Sequence, residues 1–166
     1  MTVVRYGSRF LKSKTMKIVL IILSALFVYL GTYAQSRIVN GLLLDRDLSP
    51  TPYIHIYIND SVEVGITDAK GKFEITIPVG VDSLTFRGVG FEPLLARLIP
   101  GCNRVEAIMV LAGSYDFISS AKVDRQRHRY FNKTNKLYPV AVQKGLFAST
   151  PPCYKAIFQP FASKKK

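Results

Sequence analysis

Between residues 37 and 111 apolar and polar side chains alternate with a period of two, and helical spacing is absent. In 71–77, Phe73, Ile75 and Ile77 fall on one face while Lys72, Glu74 and Thr76 fall on the other, the pattern of a half-buried strand. In 52–58 the aliphatics Ile54, Ile56 and Ile58 alternate with Tyr53, His55 and Tyr57. The aliphatics are expected to pack inward and the three rings to share an outer face. Further strands are expected at 38–44, 63–67, 83–87, 94–98 and 104–111. Seven short strands at near-regular spacing predict an all-β sandwich.

The turns between them carry their own chemistry. Asp68-Ala69-Lys70-Gly71 offers a carboxylate to backbone N–H groups a few residues on, and a glycine for a left-handed position. Gly88 and Gly90 flank Val89 at a strand end and permit a bulge or sharp corner. Pro50 and Pro52 exclude their link from a central ladder.

Charge divides the chain unevenly. The net charge is +12, yet residues 35–112 hold seven basic and nine acidic residues, whereas 113–166 hold eleven basic and two acidic. A near-neutral body is followed by a basic extension, an asymmetry expected of an interaction segment. Within the extension, Lys122, Arg125, Arg127, Arg129, Lys133 and Lys136 are opposed by Asp124 alone, with Tyr130 and Phe131 among them. Such a run binds polyanions through its cations and anchors through its rings, or is simply a solvated helix or linker. Residues 117–135 are expected to be partly helical and 140–142, past Pro139, strand-like. The apolar content of 137–142 and 153–161 predicts docking on the sandwich or on a partner rather than disorder.

Residues 1–34 contain five basic residues and no acid, followed by a 13-residue apolar core at 18–30 and the small-residue end Thr32-Tyr33-Ala34. This reads as a signal peptide cleaved before Gln35, with translation beginning at Met1 or Met16. The rival is an uncleaved inner-membrane anchor, although the core falls short of the ~20 residues of a spanning helix. The expected domains are therefore 1–34, the sandwich at 35–112 and the basic extension at 113–166. A mature chain of 132 residues buries roughly two-thirds of its unfolded surface without a staple. Cys102 and Cys153 lie in the exported part, where an oxidising compartment permits one disulfide; two separate buried thiols satisfy the sequence equally well.

Read together, Gly41-Leu42-Leu43-Leu44-Asp45, Pro52 with its alternating strand, Gly65 to Phe73, Leu84-Thr85-Phe86 and Val89-Gly90-Phe91-Glu92 resemble the carboxypeptidase regulatory-like domains of Bacteroidota. The resemblance implies a transthyretin-like, Greek-key sandwich over roughly 36–112, exported to the periplasm or outer membrane. It also implies a non-catalytic accessory module, often found beside enzymes or at the front of outer-membrane receptors.

No catalytic pattern competes with that expectation. His55 and His128 are the two histidines, the second set among cations that repel a metal, and no zinc-ligand spacing occurs. H-x-x-E, H-E-x-x-H and G-x-S-x-G are absent. Lys70 stands where a calcium loop begun at Asp68 needs an oxygen ligand. No cofactor and no enzyme activity are expected. Asp60-Ser61-Val62 and Asp82-Ser83-Leu84 resemble short O-glycosylation acceptors of that phylum. The expected partner is an envelope protein or an anionic envelope polymer, with membrane-surface contact and no nucleic acid. The alternative is a glycan or lipopolysaccharide binder using the Tyr53, His55, Tyr57 face with the basic run Arg125, Arg127, Arg129, Tyr130 and Phe131.

Overall fold

Eight strands in two sheets and one long helix make up the computed structural model, which describes residues 35–148 and 151–161. In chain order the strands are β1 (Ser36–Leu44), β2 (His55–Ile58), β3 (Val62–Ile66), β4 (Lys72–Pro78), β5 (Ser83–Arg87), β6 (Leu94–Leu98) and β7 (Arg104–Ile108). The helix α1 (Ser120–Gln143) and a last strand, β8 (Tyr154–Ile157), follow. One sheet has the order β4-β1-β7 and the other β3-β2-β5-β6-β8. All neighbours are antiparallel except β1 and β7, which run parallel with Leu44 opposite Ile108. This is a β-sandwich with a C-terminal extension.

The period-two pattern places the core between the sheets. Val39, Leu43, Phe73, Ile75, Ile77, Val105 and Ala107 line one inner face, and Ile56, Ile58, Leu84, Phe86, Leu94, Ala96 and Leu98 line the other. Phe73 and Phe86 meet across the gap with ring centroids 5.6 Å apart. Gly41 lies in the same layer, and a Cβ there would strike the Val105 carbonyl and the Phe73 ring. At about 25 cal/mol per Å² of apolar surface removed from water, a core of this size is the main source of stability. Among the described residues the buried side chains all lie between Val39 and Tyr154, within a compact unit that begins at Ser36 and has a core of its own.

Local chemistry sets the turns. The Asp68 carboxylate accepts from the N–H groups of Lys70 and Lys72, each at 2.8 Å, and Gly71 turns the chain at φ +72°. A Cβ on Gly71 would lie 2.5 Å from the Leu43 carbonyl, so the position needs glycine on two counts. Asn59 and Asp60 both have positive φ and, with Ser61, make the three-residue link between β2 and β3, where the Ser61 N–H donates to the Ile58 carbonyl at 3.3 Å. Gly88 and Gly90 bracket the corner after β5, where Gly90 has φ +81° and the Phe91 N–H returns to the Gly88 carbonyl. Ser61 is exposed in the hairpin, and the Ser83 hydroxyl donates to Asp82 at the start of β5.

Two expectations need correction. Tyr53 does not continue β2: its φ of 57° breaks the alternation, and the strand begins at His55. Thr67 holds this kink, its hydroxyl accepting from the Ile54 N–H at 2.9 Å and donating to the Thr51 carbonyl at 2.8 Å. Residues 140–142 are helical rather than strand-like, because α1 continues through Pro139 to Gln143. Proline leaves the Asn135 carbonyl without its helical donor. Both residues are exposed, so water can take that place. The apolar stretch 153–161 docks as expected, with 154–157 forming an edge strand paired with β6 from Leu98 opposite Tyr154 to Leu95 opposite Ile157.

The extension thus docks on the sandwich. A disulfide joins Cys102, just before β7, to Cys153, just before β8, with Cα atoms 5.4 Å apart. The Ile99 N–H donates to the Cys153 carbonyl at 2.9 Å beside it. Tyr138 and Ala141 of α1 and Phe147, four residues past its end, are buried over the outer face of β7, where Glu106 accepts from the Ala148 N–H at 2.7 Å. Residues 1–34, expected to be a signal peptide, lie outside the described residues. Among the described residues no helix is long and apolar enough to cross a membrane.

Candidate functional site

Helix α1 sorts the basic run into two faces. Residues two apart on a helix point to roughly opposite sides, so Arg127 and its neighbours Arg125 and Arg129 part company. Arg127 turns inward and is 6% exposed. Its Nε and Nη2 donate to Glu92 Oε2 at 2.8 and 2.7 Å, and its Nη1 donates to Asp124 Oδ1 and the Gln159 carbonyl, both at 3.1 Å. The guanidinium lies 3.9 Å from the Phe161 ring centroid and 5.3 Å from that of Phe158. Arg127 is therefore a rivet between helix, β5–β6 connection and C-terminal segment, not part of a binding surface. Phe131 is also partly buried, packed with Phe158 at 5.7 Å.

The opposite face is cationic and open. Lys122, Arg125, Arg129 and Lys133 follow spacings of three and four, one row along the helix. All four are exposed, and none has an ion-pair partner among the described residues. At 1.5 Å per residue the row spans about 16 Å. Tyr130 stands within it, flanked by the Lys133 ammonium at 5.7 Å and by the Arg46 guanidinium of the β1–β2 loop at 4.8 Å. The Arg46 Nε is buried and has no hydrogen-bond acceptor among the described residues. With Gln126, these helix residues line a shallow depression of about 280 Å³.

The aromatic face is smaller than the sequence pattern implies. His55 and Tyr57 stack at 6.4 Å on the outer surface of the five-stranded sheet, but Tyr53 stands apart from them, outside the strand. Its polar groups are engaged among themselves: His55 Nδ1 lies 2.9 Å from Glu63 Oε1, and Arg87 covers the Tyr57 ring at 5.2 Å. The hydrogen bond from His55 holds the Glu63 carboxyl below its ordinary range. Asp60 accepts from the Thr85 hydroxyl at 2.6 Å and pairs with Arg87 at 3.4 Å.

A third feature carried no signal in the sequence. Beneath β8 a cavity of about 450 Å³ opens between the helix and the sandwich, walled by Leu94, Ile108, Phe131, Tyr138 and Tyr154. Burial, followed by the Glu106 carboxylate, pushes the Tyr138 hydroxyl up to about 12. Burial likewise raises that of Tyr154. Both phenols are neutral near pH 7. Among the described residues no group of three His, Cys, Asp or Glu side chains forms a metal cluster. No protein-family model matches the chain, and no curated protein matches it.

Proposed function

We propose that this chain is a non-catalytic binding module of the bacterial envelope that engages an anionic partner through the exposed face of its C-terminal helix. The observation that carries the reading is the split of the basic run. Arg127 is neutralised by Glu92 and Asp124, whereas Lys122, Arg125, Arg129 and Lys133 have no ion-pair partner among the described residues and lie beside an Arg46 whose Nε has no acceptor among them. Uncompensated cations in a row repel one another, and an anionic partner relieves that repulsion while releasing its own counterions. Tyr130 adds a flat face beside the charges.

Export rests on the basic and apolar pattern of residues 1–34, and the accessory role on the resemblance to carboxypeptidase regulatory-like domains. A phosphate-bearing or carboxylate-bearing envelope polymer has the chemistry this face accepts. The His55 and Tyr57 face is the weaker candidate for sugar stacking, since Arg87 already covers the Tyr57 ring.

Titration of residues 35–166 with polyphosphate, followed by fluorescence anisotropy of labelled protein, tests the proposal. The wild-type chain is expected to bind, and Lys122→Ala/Arg125→Ala/Arg129→Ala/Lys133→Ala to bind at least tenfold more weakly with an unchanged circular dichroism spectrum. Equal affinity of the two proteins would dismiss the helix face as the site.

A further inference from the structure

The strand registers bring five segments to one end of the sandwich. β1 leaves at Leu44 beside Ile108, where β7 ends. β2 begins at His55 between Arg87, where β5 ends, and Ile66, where β3 ends. β6 begins at Leu94 opposite Phe86, and β8 ends at Ile157 opposite Leu95. The short β3–β4 turn joins Ile66 to Lys72, which pairs with Leu42 near the end of β1, so both sheets share this end. Segments 45–54, 67–71, 88–93, 109–119 and 158–161 therefore cluster there.

Of the twelve large apolar side chains exposed among the described residues, five lie on these segments, including the two that are most exposed. Val89 and Phe117 are completely exposed, at 102% and 107%, and Tyr53, Leu111 and Phe161 are more than half exposed. The connections that carry them are tied together. The Glu92 N–H donates to the Val110 carbonyl and the Ala112 N–H to the Gly90 carbonyl, each at 2.8 Å, and Phe91 bridges to Leu111. Tyr53 and Phe117 are held in left-handed backbone, with φ of 57° and 60°, a conformation unfavourable for bulky residues. Strain that keeps an apolar ring in water marks a position shaped by something besides folding.

The cations share that end. Arg127 reaches Glu92 in the β5–β6 connection, and Tyr130 reaches Arg46 in the β1–β2 loop. The first turns of α1, bearing Lys122, Arg125 and Arg129, thus stand level with the apolar loops. Separate apolar points on loops, beside a row of cations that have no ion-pair partner among the described residues, do not form a groove for a peptide. They suit a soft interface with a negative surface and an apolar interior.

We infer that this end of the sandwich docks on an anionic lipid bilayer, with Val89, Leu111 and Phe117 entering the headgroup boundary and Lys122, Arg125 and Arg129 facing lipid phosphates. The inference rests on the anion-binding reading above and narrows its partner to a lipid surface.

The test is sedimentation of residues 35–166 with vesicles of phosphatidylcholine and phosphatidylglycerol, of phosphatidylcholine alone, and a parallel titration with soluble polyphosphate. Binding is expected to the anionic vesicles and to polyphosphate. Val89→Ser/Phe117→Ser should partition at least tenfold more weakly to the anionic vesicles while keeping its polyphosphate affinity. Both side chains touch little protein, so the fold is not at stake. The chain contains no tryptophan, so Phe117→Trp supplies a second readout, a blue shift of emission on adding anionic vesicles. Undiminished vesicle binding by the serine variant, an unshifted tryptophan, or polyphosphate binding without vesicle binding would each overturn the lipid inference and leave the anion-binding reading standing. Failure to bind either probe would remove both.

Discussion

Arg125 and Arg127 belong to one basic run, and the helix sends them to opposite sides, one into water and one beneath Phe161. Removing one partner of a buried charge pair leaves the other uncompensated, so Arg127→Ala is expected to lower unfolding free energy by about 3–5 kcal/mol. Arg125→Ala, on an exposed position, should stay within about 0.5 kcal/mol. Urea titrations of the two variants check the contrast, and equal losses would refute the assignment. Tyr138 gives a pH signature. Its folded pKa of about 12 exceeds the unfolded value of about 10. Below pH 10 both states hold the proton and Tyr138 adds no pH dependence. Between about pH 10 and 12 the unfolded chain releases a proton that the folded chain retains, so stability falls as pH rises. Tyr138→Phe should flatten that fall in denaturant midpoints measured across the alkaline range, and an unchanged slope would contradict it. Legibility was divided at this scale. The Asp68 turn follows from side-chain chemistry close in sequence, whereas the role of Arg127 depends on Glu92, 35 positions away, which no local pattern announces.

The strands were legible where alternation was long enough to repeat. β4 alternates three inward with four outward residues, and its observed bounds, Lys72–Pro78, differ from the expected 71–77 by one residue at each end. β8 has four residues, too few to show a period, and is held by pairing with β6 and by the disulfide. Helix α1 was half legible, because Pro139 reads as a stop signal and only the packing of Tyr138, Ala141 and Phe147 carries the helix past it. Tyr53 was misplaced because the alternation of 52–58 hides a left-handed residue, and the Thr67 hydroxyl that fixes it comes from the turn after β3. The disulfide closes a separation of 51 residues, for which chain entropy alone gives about 4 kcal/mol. Cys102→Ala/Cys153→Ala is expected to lose about 3–4 kcal/mol and to lose hydrogen-exchange protection at 154–157 before the sandwich strands. Protection lost uniformly across the sheets would show that β8 is not a separately held element.

At the scale of the molecule, a near-neutral sandwich carries a helix that buries one guanidinium and displays a row of cations. Composition revealed the excess of charge in 113–166, but the geometry that separates structural from available charge needed the fold. The central claim is that the available charges, and not the whole basic run, bind an anionic partner. The salt dependence of polyphosphate affinity tests it most directly, because each phosphate neutralised adds a slope of about −0.7 to log K against log salt on a flexible strand. With Lys122, Arg125, Arg129 and Lys133 engaged, residues 35–166 should show a slope near about −3. Arg125→Ala/Arg129→Ala should reduce it by about half. A wild-type slope near zero, or one unchanged in the double variant, would contradict binding through this face of the helix.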